Sequence, residues 1–159
     1  MWGNRWFIDE TYVKVAGVWR YVYRAVDQYG QVIDVFVSLK RDTKAAHRFF
    51  TTSIRSHGVP TVVTTDRSAA LARAIIELVP AGAHHDTTQY SNNRIEAHPG
   101  RLKARLRPMR GLKRDRTASV VIRGHAFIQN LRRGHYELGV DSLPGLTVAA
   151  ALDELARAI

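Results

Sequence analysis

The feature that most restricts what this chain can fold into is a pair of long β-prone runs joined by two small residues. Trp6-Phe7-Ile8-Asp9-Glu10-Thr11-Tyr12-Val13-Lys14-Val15 and Val18 to Val26 are rich in β-branched and aromatic side chains, and Ala16-Gly17 supplies the turn of a hairpin. In the second run Trp19, Tyr21, Tyr23 and Ala25 fall on one face and Val18, Arg20, Val22, Arg24 and Val26 on the other, the period of two of a strand. Gln28-Tyr29-Gly30 then turns the chain into a third strand, Gln31 to Ser38, which completes an antiparallel meander.

After Lys40 the pattern becomes helical. Asp42 can cap a helix in which Ala45, Ala46, Phe49, Phe50 and Ile54 recur at helical spacing until His57-Gly58 and Pro60 stop it. Thr61 to Thr65 is a continuous β-prone run of the kind buried in parallel sheets, and Ser68 to Val79 reads as a helix closed by Pro80 and Gly82. The order β-β-β-α-β-α implies an α/β fold, a mixed sheet with helices packed on it. Ala83 to Tyr90 can hold one more short strand. From Asn92, a plausible cap, Ile95, Leu102, Leu106 and Met109 mark a helix ending near Arg107-Pro108. Val120, Val121, Phe127, Ile128 and Leu131 mark another, in which Gly124 is expected to admit a close neighbour. Asp141 to Gly145 reads as a linker before a last helix, Val148 to Ile159, whose seam of Val148, Ala151, Leu152, Leu155 and Ile159 is expected chiefly to close the domain's own core. The expected division is a main domain over residues 1–139 and a C-terminal linker and helix over 140–159.

A length of 159 residues suits one compact domain, and 45% hydrophobic with 24% charged residues supports a packed core. No run approaches the roughly 20 apolar residues of a membrane span, and Met1-Trp2-Gly3-Asn4-Arg5 lacks the order of a signal peptide, so the expectation is a cytoplasmic protein without a membrane partner. With no cysteine, disulfides, zinc ribbons, iron–sulfur clusters and a thiol nucleophile are excluded, and any metal must be held by oxygen or imidazole. The formal charge is +10, and Arg94 to Arg133 contains twelve Lys/Arg against Glu96 and Asp115, so one segment carries the whole surplus. Such concentration points to nucleic acid, against the ordinary alternative of a solvated helix face.

Three acids stand out. Asp9 interrupts an apolar strand, where an ionised carboxylate is costly unless paired or metal-bound. Asp66 follows a buried-type strand, at the carboxyl edge where α/β sheets bind ligands. Glu96 lies in the first turn or so of the helix that opens the basic segment. Each alone reads first as a solvated or salt-bridged acid, since exposed acids are the norm, and only the combination points to a metal site. If they converge, they can hold two Mg²⁺ (or Mn²⁺) ions roughly 4 Å apart, the arrangement that activates a water or 3′-hydroxyl in phosphodiester attack. Their spacing in sequence does not by itself bring them together.

From Asn4 to about Gly139 the chain resembles the catalytic core of DDE-type insertion-sequence transposases, specifically the insertion-sequence-six family. The matching stretches are Trp6 to Lys14, Trp19 to Asp27, Thr65-Asp66-Arg67, Asn92-Asn93-Arg94-Ile95-Glu96 and Leu102 to Gly111. The resemblance implies a ribonuclease-H-like mixed β-sheet, three antiparallel strands plus parallel ones with flanking α-helices, similar to retroviral integrase. It also implies that Asp9, Asp66 and Glu96 form the catalytic, metal-binding triad, with the first and fourth strands side by side. The implied reaction is metal-dependent cleavage at the ends of an insertion sequence and strand transfer. Its partners are double-stranded DNA, namely terminal inverted repeats and target DNA, and further copies of the chain in a homo-oligomer, in a bacterial cytoplasm close to the nucleoid. Two departures stand against full activity. Family members usually carry an N-terminal helix-turn-helix domain, so this chain looks truncated. Ala97-His98-Pro99-Gly100 replaces the usual Ala-Asp-His-Gly; in a helix starting at Asn93, Pro99 is interior and costs on the order of 3 kcal/mol. A shift of roughly 1 Å at Glu96 can cost on the order of a hundredfold in rate, so impaired strand transfer is expected.

On an unbroken helix Glu96, Lys103 and Arg107 share a face, and Arg110, Lys113, Arg114 and Arg116 carry the charge into a loop; with Arg105, these are the expected phosphate contacts. Lys14, Arg20 and Arg24 suit either DNA contact or solvation. His84-His85-Asp86 is a weak metal motif because neighbours on a strand point to opposite faces, and His125 reads as a packed or surface residue. Trp6, Trp19 and the tyrosines fill the core, cover the sheet or stack on a displaced base. Two alternatives stay open: a non-catalytic DNA-binding remnant, and a structure-selective nuclease on the same fold.

Overall fold

The computed structural model describes residues 2–66, 68–80, 83–87, 97–107 and 111–159, without the side chains of 97–100 and 105. The strands β1 (Arg5–Val15), β2 (Val18–Asp27), β3 (Val32–Ser38), β4 (Val62–Thr65) and β5 (His84–Asp86) and the helices α1 (Thr43–His57), α2 (Ala69–Leu78), α3 (Ala97–Leu106), α4 (Asp115–Arg132) and α5 (Thr147–Ala158) follow the expected order. The sheet runs β3-β2-β1-β4-β5. The first three strands are antiparallel, while β4 is parallel to β1 and β5 to β4.

The β1–β2 turn takes φ 50° at Ala16 and 79° at Gly17, left-handed values at both central residues that match the twist of a two-residue hairpin. The second turn is organised by a buried side chain. Asp27 Oδ1 accepts from the Tyr29 and Gln31 amides, 2.9 Å each, and its Oδ2 accepts from the Gly3 amide at 3.0 Å.

Alternation divides the core. Trp6, Ile8, Tyr23 and Ala25 face α1 and α2 with Phe49, Phe50, Leu71 and Ile75, whereas Phe7, Val13, Val15, Val22 and Val26 face the other side with Leu102 of α3 and Ala118 and Ile122 of α4. Asp42 caps α1 as expected, accepting from the Ala45 amide at 2.8 Å. Asn130 fixes α4 to β3: its Oδ1 accepts from the Val32 amide (2.7 Å) and its Nδ2 donates to the Val32 carbonyl (2.8 Å).

Two local expectations are corrected. Among the described residues a Cβ on Gly124 would meet nothing within 4 Å, so this glycine does not serve a close approach; α4 tolerates it on an open face. The α5 seam is covered only in part: Ala151 is buried and Val148 and Leu155 are half-buried, while Leu152 and Ile159 are exposed. The α5 helix is tied back by Glu154, whose Oε1 accepts from the Gly139 amide at 3.0 Å. Among the described residues no helix is long and apolar enough to cross a membrane.

Candidate active site and nucleic-acid surface

The step between β1 and β4 builds the candidate site. The last parallel pair is Ile8 with Thr65, so Asp9 and Asp66 are the next residues on neighbouring strands. β4 stops there while β1 continues to Val15, which leaves both carboxylates at the carboxyl edge of the parallel pair. Asp9 shares a face with Phe7 and Thr11, the face covered by Leu102 of α3.

Asp9 is held by a residue from the next strand. Arg24 stands directly opposite it in the hairpin register and grips it with two bonds, Nε to Oδ1 at 3.1 Å and Nη2 to Oδ2 at 2.5 Å. Their side chains are 20% and 12% exposed, so the pair is screened from bulk water. Burial raises the Asp9 pKa above its ordinary range; Arg24 opposes that rise and the Asp66 charge adds to it. The two aspartates therefore sense each other.

Asp66 is solvent-exposed and accepts from the Ser68 amide at 3.3 Å. Behind it, the Thr65 hydroxyl donates to the Asp66 carbonyl at 2.7 Å, and His85 Nε2 lies 2.8 Å from the same hydroxyl oxygen. Because the hydroxyl proton is already used, His85 must donate from Nε2, which selects that tautomer. Burial lowers the His85 pKa and favours the neutral ring. His84 points to solvent, as alternation requires.

Glu96 lies outside the described residues, as do Asn92, Ile95, Met109 and Arg110; α3 is described from Ala97, with Pro99 as its third residue. The interior placement expected for Pro99 rests on residues 93–96, which are among those not described. Among the described residues no cluster of three or more His, Cys, Asp or Glu forms a metal site.

Of the expected phosphate contacts, Lys103, Arg107, Lys113 and Arg114 are exposed, and the side chain of Arg105 is outside the description. Lys103 does not stand alone: its Nζ lies 5.6 Å from the Tyr12 ring centroid, so α3 meets the outer end of β1. Arg20 and Arg24 serve acids within the chain, Arg20 bonding Asp115 at 2.7 Å. Arg24, expected as a DNA contact or a solvated residue, is instead the partner of Asp9, and the signal that could have shown it is the two-residue turn between Val15 and Val18, which sets every facing pair, including Asp9 with Arg24.

A five-stranded mixed sheet with flanking helices and acids at its parallel step is a ribonuclease-H-like fold. The chain belongs to the DDE domain family in its IS240 transposase form, which matches residues 3–135. It is 35% identical over 105 residues to the transposase for insertion sequence-like element IS431mec of Staphylococcus aureus, covering 64% of this chain and 47% of that protein. The transposase for insertion sequence element IS257 in transposon Tn4003 of the same organism matches equally. The chain thus spans about half the length of these curated relatives. Among solved structures it is similar to the catalytic core domain of HTLV-2 integrase in complex with magnesium (TM-score 0.62, 18% identity, 95% of this chain and 97% of that one). It is also similar to the simian T-cell lymphotropic virus intasome (TM-score 0.63, 18% identity, 89% and 52%).

Proposed function

We propose that this domain carries out the phosphodiester chemistry of an insertion-sequence transposase, cutting at the element's DNA ends and joining the freed 3′-hydroxyl to target DNA. The observation that carries this reading is that Asp9 and Asp66 directly follow Ile8 and Thr65, the last registered pair of the parallel strands, at the point where β4 ends. The donor set fits a divalent hard cation: two carboxylates, one of them exposed, follow one another at neighbouring strand ends, the Asp66 charge makes ionised Asp9 costlier, and a bound Mg²⁺ or Mn²⁺, the ion that oxygen ligands of this kind take, would offset that cost. In this reading Asp9 and Asp66 hold the metal and Glu96 completes the two-ion site. Bound there, the ions supply charge neutralisation at the attacking and leaving oxygens.

The protein's own part is to hold the groups in line. Arg24 opposes the burial that disfavours ionised Asp9 and orients its carboxylate, Thr65 and His85 brace the backbone at Asp66, and Lys103, Arg105, Arg107, Arg110, Lys113 and Arg114 take phosphates without reading bases. The catalytic unit is residues 1–139, with 140–159 as an appended linker and helix, and the working form is a homo-oligomer on double-stranded DNA in a bacterial cytoplasm.

The test separates metal from DNA. Mg²⁺ or Mn²⁺ is expected to raise the melting temperature of the chain, and Asp9→Asn and Asp66→Asn to abolish that rise. DNA affinity should fall steeply with salt in all three proteins. A metal response that survives both substitutions refutes the site, and a salt-independent affinity refutes the phosphate surface. One sequence feature favours a second reading, a DNA-binding remnant: Pro99 in α3. If it is correct, the chain binds DNA without joining ends, and restoring His98→Asp with Pro99→His recovers strand transfer.

A further inference from the structure

The outer half of the β1–β2 hairpin carries a surface that the acidic site does not use. Tyr12 and Trp19, 53% and 48% exposed, are diagonal neighbours across the two strands, with ring centroids 5.0 Å apart and planes at 88°. Lys14 Nζ lies 4.9 Å from the Trp19 ring centroid, and Lys103 Nζ covers Tyr12 from α3. Together with Arg107 and Leu112 these residues line one open groove, whose described lining contains three cations and no acid. Aromatic rings left this exposed add little to the core. A lysine amine resting on a ring face marks that face as one that accepts a cation or a flat partner.

We propose that this groove binds unpaired nucleotides of a DNA strand, with Tyr12 and Trp19 stacking on bases and Lys14, Lys103 and Arg107 taking the flanking phosphates. The proposal rests on the reading that the domain acts on DNA, and it adds the strand's conformation. Bases inside a duplex are already stacked and offer these rings nothing, whereas an unpaired base offers a π-face of any sequence. The position agrees. Tyr12 lies three residues beyond Asp9, roughly 10 Å along the strand, a distance that a few nucleotides of one strand can span. Val13, Leu106 and Leu112, from the side of the sheet that Asp9 shares, line the groove beside Tyr12, so the groove lies along the part of β1 that extends beyond the end of β4. Charge excludes a neutral apolar partner; an acidic protein segment is the competing occupant.

Fluorescence anisotropy with the 159-residue chain tests this on three probes: a blunt duplex, the same duplex with a five-nucleotide unpaired tail, and a single strand. The tail is expected to improve affinity about fivefold or more. Trp19→Leu and Tyr12→Leu should remove that gain and leave the blunt duplex unchanged, and Trp19→Phe should retain most of it. A 2-aminopurine placed in the tail should be quenched by the unaltered chain and not by Trp19→Leu. No gain from the tail, or a gain that survives both leucine substitutions, overturns the proposal while blunt-duplex binding still supports the transposase reading. Absence of binding to every probe overturns that reading as well. Displacement of the tailed DNA by poly-glutamate in a Trp19-dependent way, at lower concentration than by single-stranded DNA, assigns the groove to an acidic protein instead.

Discussion

At the residue scale the pair formed by Asp9 and Arg24 connects stability to chemistry. Both influences of Arg24 on Asp9, its charge and its hydrogen bonds, lower a pKa that burial raises. Removing the guanidinium leaves a carboxylate with burial and the Asp66 charge against it and nothing from Arg24 in return. Arg24→Gln is therefore expected to cost roughly 3 kcal/mol of folding stability, the scale of breaking a buried ion pair from one side. It should also move the Asp9 titration further up, as read by carboxyl NMR. Asp9→Asn in the same chain should recover much of the loss, since the coupling belongs to the pair. Additive effects of the two substitutions would show that the pair contributes nothing beyond its members.

The Asp9–Arg24 pairing was readable from a turn of two residues, because such a turn leaves only one register. The grip itself was not readable, since strand pairing gives the facing residue and not the rotamer that brings two guanidinium nitrogens onto two oxygens. Lys14, Arg20 and Arg24 looked alike in the sequence. Their partners, Trp19, Asp115 and Asp9, separate them into a groove cation, a helix tie and a site residue.

Elements with their own local signals were legible. α1 announced itself through the Asp42 cap, the Phe49 and Phe50 spacing and the Gly58 stop, and it forms over Thr43–His57 with that cap bond made. α5 was legible as a helix and not in its packing, because an apolar seam does not say how much of it a neighbour covers. What docks α4 was not legible at all. Asn130 satisfies both backbone groups of Val32 next to the β2–β3 irregularity at Ala25/Val26, a job visible only once the strand is bent. Asn130→Ala should strand a buried N–H and a buried C=O, costing roughly 3 kcal/mol in chemical denaturation. Asn130→Asp should be no better, since its second oxygen faces the Val32 carbonyl where Nδ2 donated. A cost below about 1 kcal/mol would mean that water replaces the amide.

For the whole molecule, two histidines set an acid limit. His85 and His135 are both held below their ordinary value of 6.5, chiefly by burial. As pH falls below 6.5 the unfolded chain takes up these protons before the folded one, so stability drops between 6.5 and the lower folded values. Melting temperatures should fall on acidification through that window, and His85→Gln should flatten part of the slope. An unchanged slope would assign the loss elsewhere.

By itself the sequence determined the strand and helix order, the two-residue hairpin with its facing pairs, the acids at strand ends and the concentration of charge between Arg94 and Arg133. These follow from periodicity, caps and turns, which act over a few residues. That β4 lies against β1 was implied by the family resemblance; tertiary structure decided the register, in which Ile8 with Thr65 is the last pair and the distant Asp9 and Asp66 come next. It also decided that Lys103 of α3 reaches the Tyr12 ring. Both juxtapositions join segments far apart in the chain, and the burial of two sheet faces that brings them together is a property of the whole core rather than of any one run of residues.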